Sequence, residues 1–411
     1  MRHVCYFLLV FSGIMIFSGC SRPARDYRAE AMKIQQDIFT LDTHIDTPML
    51  MVKEGWNIAE EHSLEDGGRS CVDLPRMQKG GLDAAFFVVF VAQRERTMDN
   101  YKHAQEEAAK MINALNLMCK NNSSVIRFAS TPEQAFLNRQ ENFLTAFYGM
   151  ENGFPVAMDI SNIQKYYDMG VRYITLCHTK NNDICDSSND EPEHGGLSDF
   201  GKEVVKKMNE LGMIIDVSHI SDKSFFDVIE LSTAPVVASH SSARAVCDNP
   251  RNMTDEMLLK LKENGGVIQM CILADYVKTP SENKERDEEY ASLEKKYGKW
   301  NEINDQAILD KYMAEWMAIK AKYPGDMATV KDFVDHIDHV VNLIGVDFVG
   351  IGTDFDGGGG LRDCRDDSEL PNITAELLRR GYTKDDLRKI WGGNFMRVFK
   401  RIIRKRFIND S

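Results

Sequence analysis

The sequence predicts an α/β chain folded as a (β/α)8 TIM barrel with a helical insertion after strand seven. Three observations predict it. Eight runs rich in Val, Ile and Phe recur along the chain, each of the length and composition of a strand buried on both faces. Amphipathic stretches of helical period separate most of them. Residues able to bind a metal or carry a proton fall at the C-terminal ends of these runs, which is the end where such a barrel keeps its chemistry.

The chain begins with Arg2, an apolar stretch from Val4 to Phe17, and then Ser18, Gly19 and Cys20. That is the layout of a secretory signal, and the apolar stretch falls short of the roughly 20 residues a membrane helix needs. Phe17 to Cys20 resembles the bacterial lipobox, with Phe17 where Leu is usual. The expected organisation is therefore a signal peptide over 1–19, a lipidated tether over 20–36, a barrel over 37–400 and a basic tail over 401–411. An exported bacterial lipoprotein follows, held to the membrane of the cell envelope through Cys20, with its folded domain outside the cytoplasm.

The eight expected strands are 38–46, 84–92, 143–150, 171–178, 213–219, 235–240, 266–272 and 347–354. Helical period marks 99–119, 199–211, 222–231, 254–264 and 328–344. Thr131, Pro132, Glu133 and Gln134 read as a helix start, with a capping box and Pro at the first helical position. Residues 281–325 break the alternation: they are charge-dense, dotted with Trp, Tyr and Met, and read as a helical insertion on the face where the strands end. A lid over the pocket and a rim-packed pair with a solvated face are both open for this insertion.

At 43% hydrophobic and 27% charged, the composition is that of a globular protein. A net charge of −13 without an extended basic cluster excludes a nucleic-acid partner and favours a small-molecule or peptide substrate. Of nine cysteines, Cys5 lies in the signal and Cys20 at the lipidation site. The other seven form no CxxC, so neither a zinc ribbon nor a redox motif is indicated, and they cannot all pair.

His44 and Asp46 end the first strand, Glu151 follows the third, and His178, His219, His240 and Asp354 end the fourth, fifth, sixth and eighth. On a strand, positions i and i+2 share a face, so His44 and Asp46 point together. The same His-x-Asp spacing at His336 and Asp338 falls in a stretch of helical period, where the two diverge. The set His44, Asp46, Glu151, His219 and His240 exceeds the three protein ligands of an open catalytic zinc site, which points to two divalent ions, zinc or similar. One carboxylate must then bridge, and Glu151 lies between the two outer pairs in chain order. Such a centre hydrolyses without a Ser or Cys nucleophile.

Nine segments carry a family resemblance: LDTHIDTP, DLPRMQKGGLDAAFF, YGMENG, GVRYITLCHTKNND, IIDVSHIS, SHSSAR, NPRNMTDEML, GGVIQM and GIGTDFDG. In that order they resemble the membrane (renal) dipeptidases, peptidase family M19, within the metal-dependent amidohydrolase-like barrels. The resemblance implies a zinc-dependent dipeptidase with two Zn2+ per chain and a hydroxide bridging them. His44 and Asp46 would hold one zinc, His219 and His240 the other, and Glu151 both. His178 would bind substrate and stabilise the oxyanion, Arg251 would take the free carboxylate, and Asp354 would carry the proton to the leaving amine. The implied partner is a dipeptide, L,D as well as L,L, and the implied assembly a homodimer. Arg244 in SHSSAR competes with Arg251 for the carboxylate, and Asp356 faces away if Asp354 faces in. The family's Tyr after the GGVI-type strand is replaced, with Leu273 in its place and Tyr276 three residues on. Other readings are a binuclear amide hydrolase acting on N-acyl amino acids, cyclic amides or lactams, and a non-catalytic envelope binding protein.

Overall fold

β-branched and aromatic runs bury best as strands covered on both faces, and each of the eight expected runs forms one. In this computed structural model residues 25–62, 70–300, 303, 306–323 and 327–409 are described. The signal peptide and Cys20 lie outside them. The strands are β1 (Leu41–Ile45), β2 (Ala84–Phe90), β3 (Ile126–Phe128), β4 (Leu144–Glu151), β5 (Val171–Thr175), β6 (Ile214–Asp216), β7 (Val237–Ser241), β8 (Val267–Met270) and β9 (Val349–Ile351). All pair in parallel in the order β1-β2-β4-β5-β6-β7-β8-β9, and the short β3 adds to β4 off this path. The ring closes where Ile45 bridges Phe355, and the Asp46 amide donates to the Phe355 carbonyl at 2.9 Å.

The period of two along β2 shows how the barrel is filled. Phe86 and Val88 pack inside, with Phe147 and Tyr173, whereas Phe87 and Val89 belong to the outer core under the helices. The C-terminal helix Asn394–Asn409 adds Phe395 and Phe399 to the inner cluster, Phe395 edge to face and Phe399 tilted against Phe86. Ile402 is buried as well, so the boundary expected at 400 falls inside a packed helix. The tether over 20–36 is likewise corrected in its second half. Residues Tyr27–Asp37 form a helix capped by Asp26, with Ala31 and Ile34 buried and the Arg379 guanidinium over the Tyr27 ring.

The expected helices form within one or two residues of their reading: Met98–Asn121, Asp199–Leu211, Asp222–Leu231, Asp255–Asn264 and Val330–Ile344. At Pro132–Gln140 the Thr131 hydroxyl caps the Gln134 amide, and Gln134 returns its side chain to the Ser130 amide rather than to Thr131. The insertion is a helical pair, Lys284–Tyr297 and Gln306–Lys322, between β8 and β9. Glu315 ties it by accepting from Lys296 and from the Tyr297 hydroxyl, both at 2.7 Å. No described helix is long and apolar enough to cross a membrane. The seven cysteines from Cys71 to Cys364 are free thiols.

Candidate active site

His44 stands on β1, Glu151 ends β4 and His240 lies on β7, whereas His178, His219 and Asp354 follow β5, β6 and β9 by three residues rather than ending them as expected, and all turn into one mouth. Around Glu151 the imidazoles converge: Oε1 lies 2.9 Å from His219 Nε2 and 3.3 Å from His240 Nε2, while Oε2 lies 3.5 Å from His44 Nε2. The His219 and His240 Nε2 atoms are 2.8 Å apart. Asp46 Oδ2 sits 3.5 Å from His44 Nε2 on the other side. One Glu151 oxygen thus faces His219 and His240, and the other faces His44.

The backbone is bent to aim these groups. His219 and Asp354 are non-glycine residues in the left-handed region, with φ of 70° and 63°, and Asn152, immediately after Glu151, has φ of 71°. Such strain gathers where function over-determines the backbone. Gly357 matters for what it lacks, because a Cβ there would stand 2.1 Å from Asp46 Oδ2 and 2.3 Å from Asp354 Oδ1. Its missing side chain leaves these carboxylates their room.

Hydrogen bonds fix the imidazole tautomers. The Tyr173 hydroxyl donates to the Thr43 carbonyl at 3.1 Å, so towards His44 Nδ1, 2.9 Å away, it accepts. In its neutral form His44 therefore carries its proton on Nδ1 and turns a bare Nε2 into the mouth. Ser239 works the same way, donating to Asp216 Oδ2 at 2.6 Å and accepting from His240 Nδ1 at 2.8 Å. Partners of this kind orient metal-binding histidines and raise their basicity. His44 Nε2 and Asp46 Oδ1 are buried without a hydrogen-bond partner, an arrangement that suits donors to a cation. Among the described residues three triplets offer ligand atoms close enough to share an ion: His44, Glu151 and His240; Glu151, His178 and His219; and His44, Asp46 and Asp354.

Electrostatics separate the roles. Burial opposes the Glu151 carboxylate, but the fields of His44 and His178 and hydrogen bonds from His219 and His240 outweigh it and hold its pKa well below the usual range. Burial also opposes the His44 imidazolium, and there Glu151 and Asp46 prevail and raise its pKa. Burial, reinforced by Asp46, pushes the Asp354 pKa well up. For His178 burial wins over Glu151 and brings the pKa down to about 4, so the ring is neutral near pH 7.

His178 stands apart in another respect. Its Nε2 is 3.7 Å from Glu151 Oε1, farther than His219 or His240, and its side chain is 14% exposed against 4% and 1% for theirs. It borders the space a substrate would enter. Arg251 is buried beside it, donating to the His240 carbonyl at 3.0 Å, with Nε unpartnered and the Tyr276 ring 5.1 Å away. The rival Arg244 is already engaged, its fork closed on Asp222 by two 2.7 Å bonds. Asp356 does turn away, accepting from Thr47 at 2.7 Å and from the Cys71 amide.

The decoy pair separates as helical geometry requires. His336 is buried between the Ala243 amide and the Val277 carbonyl, and Asp338 meets Arg380 and Tyr382. His103 is exposed, whereas His62 and His194 are half-buried and bonded to the carbonyls of Asn57 and Asn182. Sequence reasoning missed Tyr173, Ser239 and Asp216, which hold the histidines, and Trp300, which borders His178. A tyrosine among inward-facing strand residues needs a partner for its hydroxyl, and that was the one available signal for Tyr173.

A parallel barrel with His44, His178, His219, His240, Asp46, Glu151 and Asp354 at one mouth has the architecture of a metal-dependent hydrolase. The profile of the membrane dipeptidases (peptidase family M19) matches residues 28–406, and the chain belongs to that family. It is a dipeptidase of the metallopeptidase class. The chain is 29% identical to Dipeptidase 3 of Rattus norvegicus over 395 residues, covering 93% of this chain and 70% of that protein. It resembles the solved structure of the probable dipeptidase PvdM from Pseudomonas aeruginosa, with a TM-score of 0.82, 30% identity, and coverage of 93% of this chain and 100% of that one. A metallo peptidase from Rhodobacter sphaeroides, liganded with a phosphinate mimic of the dipeptide L-Ala-D-Ala, shares the fold at a TM-score of 0.71 and 21% identity, over 89% of this chain and 99% of that one.

Proposed function

We propose that the chain is a binuclear zinc dipeptidase that hydrolyses the peptide bond of dipeptides, L,D as well as L,L. The observation that carries this reading is the division of Glu151, one oxygen towards His219 and His240 and the other towards His44, whose Nε2 also meets Asp46. Two zinc ions held there would activate the attacking water and polarise the scissile carbonyl. The remaining work belongs to the chain. His178, neutral near pH 7, offers a ring N–H to the developing oxyanion. Arg251, whose Nε is unpartnered, takes the substrate carboxylate, a group for which the planar guanidinium is suited. Asp354, whose pKa is raised, takes a proton from the attacking water and gives it to the leaving amine.

Arg251 also favours this reading over the hydrolysis of cyclic amides that carry no free carboxylate. The reading extends to an exported lipoprotein anchored through Cys20, which rests on residues 2–20 of the sequence. The test is a kinetic screen of L,L and L,D dipeptides with zinc-reconstituted protein. Turnover of both series is expected, and C-amidated analogues lacking the free carboxylate should be poor substrates. Zinc-loaded protein that cleaves no dipeptide of the panel would refute the proposal.

A further inference from the structure

The two-helix insertion reaches the mouth through Trp300, a side chain that the chemistry above leaves unused. Helix Lys284–Tyr297 stops at Gly298, whose φ of 86° is open to glycine, and the chain turns so that Trp300 follows. The Trp300 ring lies 6.2 Å from His178, edge to face at 76°. Phe90, at the end of β2 and half-buried, meets the same imidazole edge to face at 4.7 Å and 64°. Trp300 nevertheless remains 40% exposed.

This placement is braced. Leu293 and Tyr312 are buried, the Tyr297 and Tyr312 rings meet at 6.2 Å, and Lys296 pairs with Glu315. The insertion holds a partly exposed indole beside His178, the site imidazole that is itself partly open. Exposed aromatic surface at the rim of a polar, largely buried site is the composition of a side-chain subsite. The position it serves follows from connectivity. The scissile carbonyl belongs to the first residue of a dipeptide, so the side chain nearest the group that faces this carbonyl is the first residue's.

We infer that Trp300, with Phe90, forms the wall that receives a bulky apolar side chain on the first residue of the dipeptide, which makes the insertion a specificity element. This rests on the reading of His178 as the carbonyl-facing group of a dipeptidase.

The test compares kcat/KM for Phe-Ala, Ala-Phe and Ala-Ala in the wild type, Trp300→Ala, Trp300→Phe and Trp316→Ala. Trp316 belongs to the same insertion but packs on Tyr290 and Lys320, so it controls for loosening of the helical pair. Trp300→Ala should lower the Phe-Ala to Ala-Ala ratio about tenfold, the scale on which apolar contacts discriminate substrates. The Ala-Phe to Ala-Ala ratio should hold, Trp300→Phe should recover most of the loss, and Trp316→Ala should keep the wild-type ratios. An unchanged Phe-Ala ratio in Trp300→Ala, or an equal shift in Trp316→Ala, overturns the inference alone. Turnover of none of the three by wild type would overturn the dipeptidase reading and this inference with it.

Discussion

The Tyr173 hydroxyl decides which nitrogen His44 turns to the mouth. It donates to the Thr43 carbonyl, so it can only accept from Nδ1, and the bare Nε2 is left for a cation. Gly149 makes this possible, since a Cβ there would stand 2.4 Å from the Tyr173 ring. Tyr173→Phe keeps the ring and removes the acceptor. It should cost about 10- to 100-fold in zinc affinity at the His44 site, the usual effect of losing such a partner, while thermal stability of the metal-free protein changes little. Competition with a chelator measures the affinity, and an affinity equal to wild type would mean that Tyr173 does not orient His44. Nothing local in the sequence marks this contact, because 129 positions separate the two residues. The convergence of these side chains was legible, since a His or carboxylate at the end of an apolar strand points to one face of a barrel whatever its neighbours are.

Strands and helices divide along similar lines. The eight barrel strands are legible because parallel strands buried on both faces are continuous apolar runs. β3 is not: three residues, ending in the exposed Phe128, make no run. The helix Tyr27–Asp37 buries only Ala31, Ile34 and Gln35, so its sequence reads as a polar tether, and packing on Pro371–Arg379 is what fixes it. Helix Val330–Ile344 is legible from its period, and His336 on its buried face carries a testable consequence. Its Nδ1 accepts from the Ala243 amide at 3.0 Å and its Nε2–H donates to the Val277 carbonyl at 2.8 Å, a geometry only the neutral ring satisfies. Burial lowers its pKa below 6.5. The unfolded chain therefore takes up this proton first, and stability is lost as pH falls from about 6.5 towards the depressed folded value, by up to about 1.4 kcal/mol per pH unit. His336→Gln should flatten that part of the stability profile in chemical denaturation. Parallel profiles for the two proteins would contradict the assignment.

At the scale of the molecule, the barrel turns seven residues spread from His44 to Asp354 into one centre, and the C-terminal helix with Phe395 and Phe399 completes the inner packing. The helical insertion was legible as an interruption of the strand and helix alternation, but its reach to His178 was not, because only the folded barrel brings Trp300 there. The proposed chemistry turns on Glu151 serving two ions at once. Zinc content per chain, measured by elemental analysis on wild type and Glu151→Ala after reconstitution and removal of free metal, tests that claim most directly. About two zinc ions in wild type, and loss of both together with activity in Glu151→Ala, is the expected result. Retention of both ions by Glu151→Ala would contradict it.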